Sequence, residues 1–437
     1  MKLPEPRQAR IIIAAFLVGF ITMAHEIIIG RVFGTYFGTS TLTWSGVIAS
    51  FILFIGIGYW LGGKLSRKRT LHAHLLAASM LLVITMPVIL STFFETIALP
   101  WVASFTIGLT IASLPLIMLA AYIPALIERR EGGKAESSST ILSSDTVGSV
   151  LGVLTAGVVL LPLIGVWKSA AILSVFAAAI IIQSRARWWT IPILALGLTM
   201  YLLAPPTIPS PFSDIEVRYG DGLVQLSFGP RSPQSAMYLA RPEVPVYRYS
   251  QWVAEFYRES PRAERVLMLG AGGCTHIPIL RETHPNAHIT VIDNNPVVFD
   301  VCRDAFGILD RTDTEYIVDD ARRFLSEAGT YDIVFLDTFG SLCTVPEHLI
   351  THEFHLELLE TLEPDGRVIM NTIFGSETSK RVIEDNLRAA FDIIDIRTSD
   401  VTPGNRVFHM RAGGTGRPLI TDDRNPYTLL LSQECLE

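Results

Sequence analysis

The chain has 437 residues, which is enough for two domains, and its average composition hides two unlike halves. The net charge of −7 at pH 7 belongs largely to residues 212–437, and this acidic balance argues against nucleic acid as a partner. No short CxxC spacing links the four cysteines, which we therefore predict to be reduced thiols rather than a disulfide or zinc framework: Cys274, Cys302, Cys343 and Cys435.

Residues 1–204 predict a helical domain that crosses a membrane. A span needs about 20 apolar residues. The first apolar run lacks a small-residue cleavage site and is predicted to be a retained span rather than a signal peptide. About seven spans are predicted, with an error of one because the last two are short: 11–30, 43–62, 72–93, 98–126, 144–163, 166–183 and 188–204.

Basic residues set the expected orientation. Four basic segments fall on alternate loops and place the N-terminus in the cytoplasm: Lys2/Arg7/Arg10, Lys64/Arg67/Lys68/Arg69, Arg129/Arg130/Lys134 and Arg185/Arg187. Seven spans would then put residues 212–437 outside, away from a cytosolic cofactor. We favour a cytoplasmic C-terminal domain at the inner membrane, with 188–204 re-entrant or interfacial, or with an exception to the charge rule.

Four polar residues lie at or near membrane depth, where charges are costly and usually paired: His25, Glu26, Arg31 and Asp145. One interpretation is a structural ion pair of Arg31 with Glu26 or Asp145. The other is a polar site for a substrate or a lipid headgroup.

Residues 205–211 are predicted to be a Pro/Ser linker, and residues 212–437 an α/β domain. A short alternating segment first predicts a small β-hairpin region. Strands and helices then alternate, which is typical of a doubly wound, largely parallel, Rossmann-like sheet. The predicted strands are 265–270, 288–293, 315–319, 331–337, 366–373, 392–398 and 406–412.

A glycine cluster follows the first of these strands, at Gly270, Gly272 and Gly273. Such a turn lets a backbone approach a nucleotide, and the following helix offers amides to negative charge. Acids stand at the ends of the next three strands: Asp293, Asp319/Asp320 and Asp337. Each acid has a structural alternative as a turn residue or helix cap, but together they indicate a ligand site.

The C-terminal half resembles the spermidine synthase family of polyamine aminopropyltransferases, which have a methyltransferase-like fold, over about 212–412. It also resembles the bacterial branch in which this domain follows several membrane spans. The motifs of that branch are Glu26 with Arg31, the DARRFL segment 320–325, and the P-x-HL-x-T-x-EF segment 346–354. The QSAMYL segment 234–239 and two tyrosines match its substrate-side region.

The resemblance implies a role for each matched residue. Gly270, Gly272 and Gly273 would line the sulfonium end of an S-adenosyl donor, and Asp293 would hold the ribose. Asp320 would bind the adenine amino group, with a backbone contact from Ala321. Asp337 would be the catalytic acid beside the attacking amine. Gln234, Tyr247 and Tyr249 would line the acceptor side, and no metal is implied.

Two departures from the family pattern bear on the substrates. Gly273 stands where the family's glycine loop carries an acid, and Gly340 replaces the second acid of a D-x-x-D motif that begins at Asp337. In the family, the first acid binds the amine of decarboxylated S-adenosylmethionine. A loop without that acid suits S-adenosylmethionine, whose carboxylate an acid would repel, at least as well.

The sequence therefore predicts a membrane-bound transferase that moves an aminopropyl group from decarboxylated S-adenosylmethionine to an amine. One alternative is methyl or aminocarboxypropyl transfer from S-adenosylmethionine to a lipid or small amphiphile. Another is a non-catalytic membrane sensor or transporter. A homodimer is an option for assembly. Two constellations are interpreted as structural rather than chemical: the group His348, His352, Glu353 and His355, and the pair Cys274 and His276.

Overall fold

A computed structural model describes residues 6–38, 40–65, 68–130, 133–229, 233–308, 313–339, 345–374, 377–400, 404–416 and 418–423. The chain divides into two compact units. The helical unit comprises 1–98 and 103–214, and the α/β unit comprises 99–102 and 215–437. The predicted domain limits at 204 and 212 stay a prediction.

The described residues of the helical unit form seven α-helices: α1 (Pro6–Phe37), α2 (Thr41–Leu65), α3 (Arg69–Thr96), α4 (Trp101–Arg129), α5 (Lys134–Leu154), α6 (Leu161–Ile181) and α7 (Thr190–Leu202). A π-helical turn, Thr155–Leu160, joins α5 to α6. A 3₁₀ turn, Arg187–Trp189, leads into α7.

Five helical segments of the described chain are long and apolar enough to cross a membrane: Arg7–Phe37, Thr41–Leu65, Arg69–Thr96, Trp101–Arg129 and Ala135–Ile181. The fifth has 47 residues, about twice a span, and Gly165 interrupts it with a non-helical φ of 75°. This break coincides with the predicted boundary between the spans 144–163 and 166–183. The last predicted span corresponds to α7, a helix of 13 residues, so the count of seven stays a prediction.

Three hydrogen bonds show which residues lie at each of the two ends of the helical unit. At one end, Arg31 Nη2 donates to the Pro211 carbonyl at 2.5 Å, and the Val166 amide donates to Asp214 Oδ2 at 2.9 Å. At the other end, Arg185 Nη1 donates to Thr70 Oγ1 at 3.4 Å. Helix α6 therefore runs from the first end to the second.

Helix α7 returns along α6. Gly197 packs against Ser174, and Lys168 Nζ lies 5.7 Å from the centre of the Tyr201 ring. Helix α7 therefore brings the chain back to the first end of the helical unit, where Arg31 lies. The linker leaves the helical unit from this end.

Arg31 does not form the predicted structural ion pair with Glu26 or Asp145. Its side chain instead contacts the linker at Pro211, and Asp214 is its nearby carboxylate. Asp145 is hydrogen-bonded to Tyr59. The sequence could not show this arrangement, because the linker residues that Arg31 meets are 180 positions away.

The α/β unit begins with a three-stranded antiparallel sheet, which confirms the predicted hairpin region. Its strands are β1 (Ile215–Gly220), β2 (Leu223–Phe228) and β3 (Ser235–Tyr238), in the order β1-β2-β3. Helix α8 (Arg248–Glu259) follows.

Within the part of the chain that the structure describes, the main sheet has seven strands in the order β6-β5-β4-β7-β8-β10-β9. Its strands are β4 (Arg265–Leu269), β5 (His288–Asp293), β6 (Thr314–Val318), β7 (Tyr331–Leu336), β8 (Leu362–Phe374), β9 (Phe391–Thr398) and β10 (Gly404–Ala412). The first five strands in this order pair in parallel, and β10 runs antiparallel to both β8 and β9. The predicted largely parallel, Rossmann-like sheet is confirmed.

Helices between the strands cover the sheet: α9 (His276–Thr283), α10 (Pro296–Asp304), α11 (Ala321–Leu325), α12 (His352–Glu360) and α13 (Glu377–Ala390). Alternate residues of the central strands enter two different hydrophobic clusters. Val266 and Met268 belong to one, and Leu267 and Leu269 to the other. A strand buried on both faces leaves its carboxyl end as the place where a ligand can approach.

Candidate functional site

The carboxyl ends of β4, β5 and β7 lie side by side. Leu269 pairs with Ile292 on one side and with Leu336 on the other. The residues that come next along each strand, Gly270, Asp293 and Asp337, therefore share one edge of the sheet. Val318 pairs with Asp293, so Asp319 and Asp320 extend the same edge. The structure thus brings the three predicted acid positions together.

Gly270 begins the turn that leaves this edge. Its φ is 94°, which favours glycine, and a Cβ at this position would collide with the carbonyl oxygen of Asp337. The Gly270 amide donates to Ile292 O at 2.8 Å, and the Asp337 amide donates to Leu269 O at 2.9 Å. The glycine turn is consequently fixed against the backbone of both neighbouring strands.

Asp293 holds the glycine turn from its other side. Its Oδ2 accepts from the Ala271 amide at 3.0 Å, and its Oδ1 accepts from the Asn295 amide at 2.8 Å. Burial raises the pKa of Asp293, and the two amide bonds oppose that rise. Each carboxylate oxygen has a second lone pair, so the predicted contact with a ribose stays compatible with these bonds.

Asp320 is a helix cap as well as a predicted adenine ligand. Its Oδ1 accepts from the amides of Arg322 and Arg323 at 3.0 and 3.1 Å, at the start of α11. His348 Nε2 donates to its Oδ2 at 2.9 Å. Ala321 follows as the first residue of α11 and is buried. The cap is therefore present, and the adenine contact of Asp320 and Ala321 stays a prediction.

Asp337 has the least solvated carboxyl group of the site. Asn371 Nδ2 donates to its Oδ1 at 2.8 Å, and Asn405 Nδ2 donates to Asn371 Oδ1 at 3.0 Å. Part of the side chain still reaches solvent at the sheet edge, although protein atoms surround the carboxyl group. This desolvation raises the pKa of Asp337 to about 6, and the bond from Asn371 limits the rise.

Aromatic side chains adjoin Asp337. Burial first, and the Asp337 carboxylate next, raise the pKa of both Tyr249 and Tyr257 well above 10. His276 lies 5.9 Å from Tyr249 and 4.5 Å from Phe335, measured between ring centres. Burial lowers the pKa of His276 to about 3, so its imidazole is neutral. The cluster gives Asp337 an apolar, uncharged neighbourhood.

The predicted acceptor-side residues lie together beside this cluster. The rings of Tyr247 and Tyr249 stack with their centres 6.1 Å apart. The Tyr249 hydroxyl donates to the Gln234 carbonyl at 3.4 Å, while Gln234 Oε1 accepts from the Phe228 amide at 2.8 Å. Gln234 therefore holds the loop between β2 and β3, and its substrate contact stays a prediction.

Sequence reasoning missed Asn371 and Tyr257 as parts of this site, whereas it singled out His276 as a structural residue of the glycine loop. A signal for Asn371 existed, because it is the first polar residue after the apolar run of β8, as Asp337 is for β7. The pairing of Leu336 with Met370 then places the two side by side. Tyr257 lies on an amphipathic helix and offered no comparable signal.

Gly273 has no room for the acid that the family carries there. Its amide donates to Ser235 Oγ at 3.0 Å, and a Cβ would lie 2.7 Å from the ring of Phe306. The Phe306 ring thus occupies the direction in which an acidic side chain would extend. Glycine at position 273 and the Phe306 ring therefore depend on each other for space.

The prediction that the cysteines are reduced thiols is wrong for two of them. Cys274 and Cys302 form a disulfide, with their Cα atoms 5.7 Å apart. The link joins the glycine turn to α10, across 28 positions, so a search for short cysteine spacing could not find it. A disulfide-bonded Cys274 is no nucleophile, which excludes a catalytic pair with His276 in this state. Cys343 and Cys435 lie outside the described residues.

The histidines near α12 have structural contacts. His348 binds Asp320, and the buried His355 ring lies 5.6 Å from that of Phe391. Among the described residues, no group of three or more His, Cys, Asp or Glu side chains is arranged to hold a metal ion. The expectation that no metal is needed stays a prediction.

No family model matches the chain. A polyamine aminopropyltransferase from Vibrio vulnificus is 32% identical over 122 residues, which are 27% of this chain and 40% of that protein. Polyamine aminopropyltransferase 1 from Streptomyces coelicolor is 22% identical over 453 aligned residues, covering 93% of this chain and 84% of that protein. The chain is thus similar in sequence to polyamine aminopropyltransferases.

The two relatives match different shares of the chain. The match to the Vibrio protein spans well under half of that protein's length, whereas the alignment to the Streptomyces protein includes most of the helical unit. A probable spermidine synthase from Corynebacterium glutamicum is 19% identical, with 47% of this chain and 79% of that one covered and a TM-score of 0.41. The description of the fold therefore rests on the strands and helices given above.

Proposed function

We propose that the chain is a membrane-bound aminopropyltransferase. The α/β unit would move an aminopropyl group from decarboxylated S-adenosylmethionine to an amine acceptor. One observation carries the proposal: Asp337, desolvated and held by Asn371, lies next to the glycine turn at the carboxyl edge of the sheet. Relatives named polyamine aminopropyltransferase support the choice of reaction.

The chemistry requires a base beside an electrophilic carbon. The acceptor nitrogen attacks the carbon next to the sulfonium, the carbon–sulfur bond breaks, and the thioether nucleoside leaves with the bonding electrons. The attacking amine must be neutral and loses one proton after attack. Asp337, with a pKa of about 6, is ionised at pH 7 and can accept that proton. The surrounding protein has only to align the two reactants in one line.

The donor would lie along the carboxyl edge of the sheet, starting at the glycine turn. Gly270 and Gly272 would face its sulfonium end, Asp293 its ribose, and Asp320 with Ala321 its adenine. Asp337 would stand on the acceptor side, where Tyr247 and Tyr249 already stack. These roles follow the family and are consistent with the shared sheet edge of the three acids.

A second reaction is favoured by the arrangement at Gly273. No acid is present there to bind a donor cation, and the Phe306 ring fills the space. S-adenosylmethionine carries a carboxylate, which an acid at this position would repel. Its affinity is therefore not reduced by a loop without that acid. Methyl or aminocarboxypropyl transfer to a lipid or small amphiphile is therefore the second candidate. A sensor that binds the nucleoside without turnover is the third.

The helical unit would anchor the enzyme in the inner membrane. Its five long apolar segments support insertion into a bilayer. We propose a cytoplasmic α/β unit, since the donor is a cytosolic metabolite. The linker leaves at the end of the helical unit opposite to Thr70 and Arg185. A cytoplasmic α/β unit therefore places the basic loops outside, against the positive-inside tendency, unless α7 fails to cross.

The proposal is tested with the full-length protein in lipid nanodiscs. Each sulfonium donor is incubated with a panel of amines, and the nucleoside product is identified by mass spectrometry. Methylthioadenosine from the decarboxylated donor is the expected product. Adenosylhomocysteine would show methyl transfer, while methylthioadenosine from S-adenosylmethionine would show aminocarboxypropyl transfer. Tight donor binding without any product would favour the sensor over the enzyme.

A further inference from the structure

A basic cavity of about 460 Å³ lies at the end of the helical unit from which α3 begins. This cavity is a pocket on the surface, open to solvent, and its five lining residues are all exposed: Lys68, Arg69, Thr70, Leu71 and Arg185. Three of these five side chains are cationic, and none is acidic. The first four come from the start of α3 and the fifth from the turn after α6, so two separate segments converge on one positively charged space.

The cations of this cavity lack carboxylate partners within the described part of the chain. Arg185 donates to Thr70 Oγ1 at 3.4 Å, which orients its guanidinium but leaves its charge uncompensated. Lys68 is the N-cap residue of the 28-residue helix α3, and its ammonium group cannot accept from the free amides there, so this helix end adds its own partial positive charge. Like charges gathered in this way repel each other until an anion joins them.

The surroundings of the cavity are those of a membrane interface. Leu71, one of its walls, is 48% exposed, and Ile182 on the neighbouring end of α6 is 59% exposed. Trp188 is also exposed and its ring centre lies 4.6 Å from that of Trp189. An exposed tryptophan such as Trp188, beside basic residues, is typical of the level at which lipid headgroups lie. The cavity is therefore polar inside and apolar at its margin.

We propose that this cavity binds the phosphate group of an anionic phospholipid. The inference rests on the proposed insertion of the helical unit into a bilayer and is independent of the reaction of the α/β unit. Arg185, Lys68 and Arg69 donate to the phosphate oxygens, and the acyl chains lie along the apolar side marked by Leu71 and Ile182. A lipid with a net negative charge fits this space, whereas in phosphatidylcholine the headgroup's own cation offsets the phosphate.

Native mass spectrometry of the detergent-solubilised full chain tests the proposal. Phosphatidylglycerol and phosphatidylcholine are titrated into delipidated protein and the bound fractions are compared. The wild type is expected to bind phosphatidylglycerol in preference. The double variant Lys68→Gln/Arg185→Gln is expected to weaken phosphatidylglycerol binding by about twenty-fivefold, from roughly a fivefold loss for each cation. The matched control is Arg187→Gln, an exposed cation of the same turn that does not line the cavity.

Three results would overturn the proposal: equal binding of the two lipids, unchanged binding in the double variant, or equal weakening by Arg187→Gln. Inorganic phosphate forms a separate arm. Displacement of the lipid by millimolar phosphate, with phosphate itself retained, would assign the cavity to free phosphate instead. The single variants Lys68→Gln and Arg185→Gln are measured alongside. If the double variant loses its monodisperse elution profile, the single variants decide the result.

Discussion

Asn371 donates from Nδ2 to Oδ1 of Asp337 at 2.8 Å, where β7 ends beside the parallel strand β8, which continues to Phe374. Asn405 on β10 in turn donates to Asn371 at 3.0 Å. Three strands thus contribute one polar residue each to a row that ends on the carboxylate. Such a row fixes the orientation of Asp337 through its Oδ1.

Replacing Asp337 by Asn should remove turnover and spare donor binding. The amide cannot accept the proton of the attacking amine, and loss of a general base costs about 10²- to 10⁴-fold in rate. Product formation and calorimetric donor affinity are measured on the same nanodisc preparation. Asp304→Asn, at an exposed position of α10, is the control. Turnover that persists in the Asp337 variant would show that this carboxylate is not the base.

The same substitution should stabilise the protein above pH 6. The pKa of Asp337 is raised from 3.8 to about 6, so the folded state holds a proton that the unfolded state has lost. The stability contributed by Asp337 is therefore fully present below about pH 4 and falls until pH reaches about 6. The cost at neutral pH is at most about 3 kcal/mol, reduced by residual solvent contact.

Thermal unfolding of the full chain in detergent checks this expectation. The Tm difference between Asp337→Asn and the wild type should grow from pH 4.5 to pH 6.5 and then stay constant. A difference that is independent of pH would mean that the pKa of Asp337 is close to its ordinary value. A stabilising substitution that removes activity is the pattern expected of a strained catalytic group.

Asn371 should set the pH dependence of the reaction. Its hydrogen bond favours the ionised form of Asp337, so Asn371→Ala should raise the pKa of Asp337 further. The acidic limb of the kcat/KM profile, expected near pH 6, then moves to higher pH. Asn405→Ala, which acts one bond further away, should shift the limb less. A lower rate with an unmoved acidic limb would make Asn371 a packing residue only.

The sequence predicted the sheet edge but not the contacts along it. Alternating apolar runs identified the strands, and an acid after a run marks the carboxyl end whatever the order of the strands. The bond between Asn371 and Asp337 depends on β8 lying next to β7, and the bond from Asn405 on β10 returning antiparallel beside β8. Strand order and direction follow from packing across the whole sheet, which local patterns do not contain.

The disulfide and the contact of Arg31 show the same limit. Cys274 meets Cys302 because the glycine turn and α10 lie over one end of the sheet, and Arg31 meets Pro211 because the linker folds back. Charge in the sequence suggested nearer partners for Arg31, and the spacing of the cysteines suggested no disulfide at all. A long-range contact becomes visible only when the path of the chain between the two positions is known.

Donor choice should respond to residues 273 and 306 together. Gly273→Asp alone is expected to weaken the binding of both donors, because the new Cβ would meet the Phe306 ring at 2.7 Å. Adding Phe306→Ala makes room for the carboxylate, which would attract the amine of the decarboxylated donor and repel the carboxylate of S-adenosylmethionine. Calorimetry should show a shift of about tenfold or more in the ratio of the two affinities.

Phe306→Ala by itself is the control for this pair. It should change both affinities by a similar factor, because it alters space without adding charge. If the double variant leaves the affinity ratio unchanged, the position of Gly273 does not face the end of the donor that carries the amine.

Fusions at the two ends of the helical unit should report opposite sides of the membrane. The turn near Gly133, at the start of α5, lies among the basic loops, and residue 208 lies in the linker, after α7 has returned to the end of Arg31. Alkaline phosphatase and green fluorescent protein are fused in turn after each position in a truncated chain, and the C-terminus of the full chain is tagged as a third site. Signals from the same side at 133 and 208 would mean that α7, with its 13 residues, does not cross.

The same fusions give the absolute side. Fluorescence at residue 208 and at the C-terminus supports access to a cytosolic donor and places the basic loops outside. Phosphatase activity at those positions would overturn the cytoplasmic placement. The positive-inside tendency would then hold, and the disulfide between Cys274 and Cys302 would lie in the oxidising compartment where such bonds persist. In that case the reaction would require a sulfonium donor outside the cytoplasm, and the sensor would become the better explanation of the site.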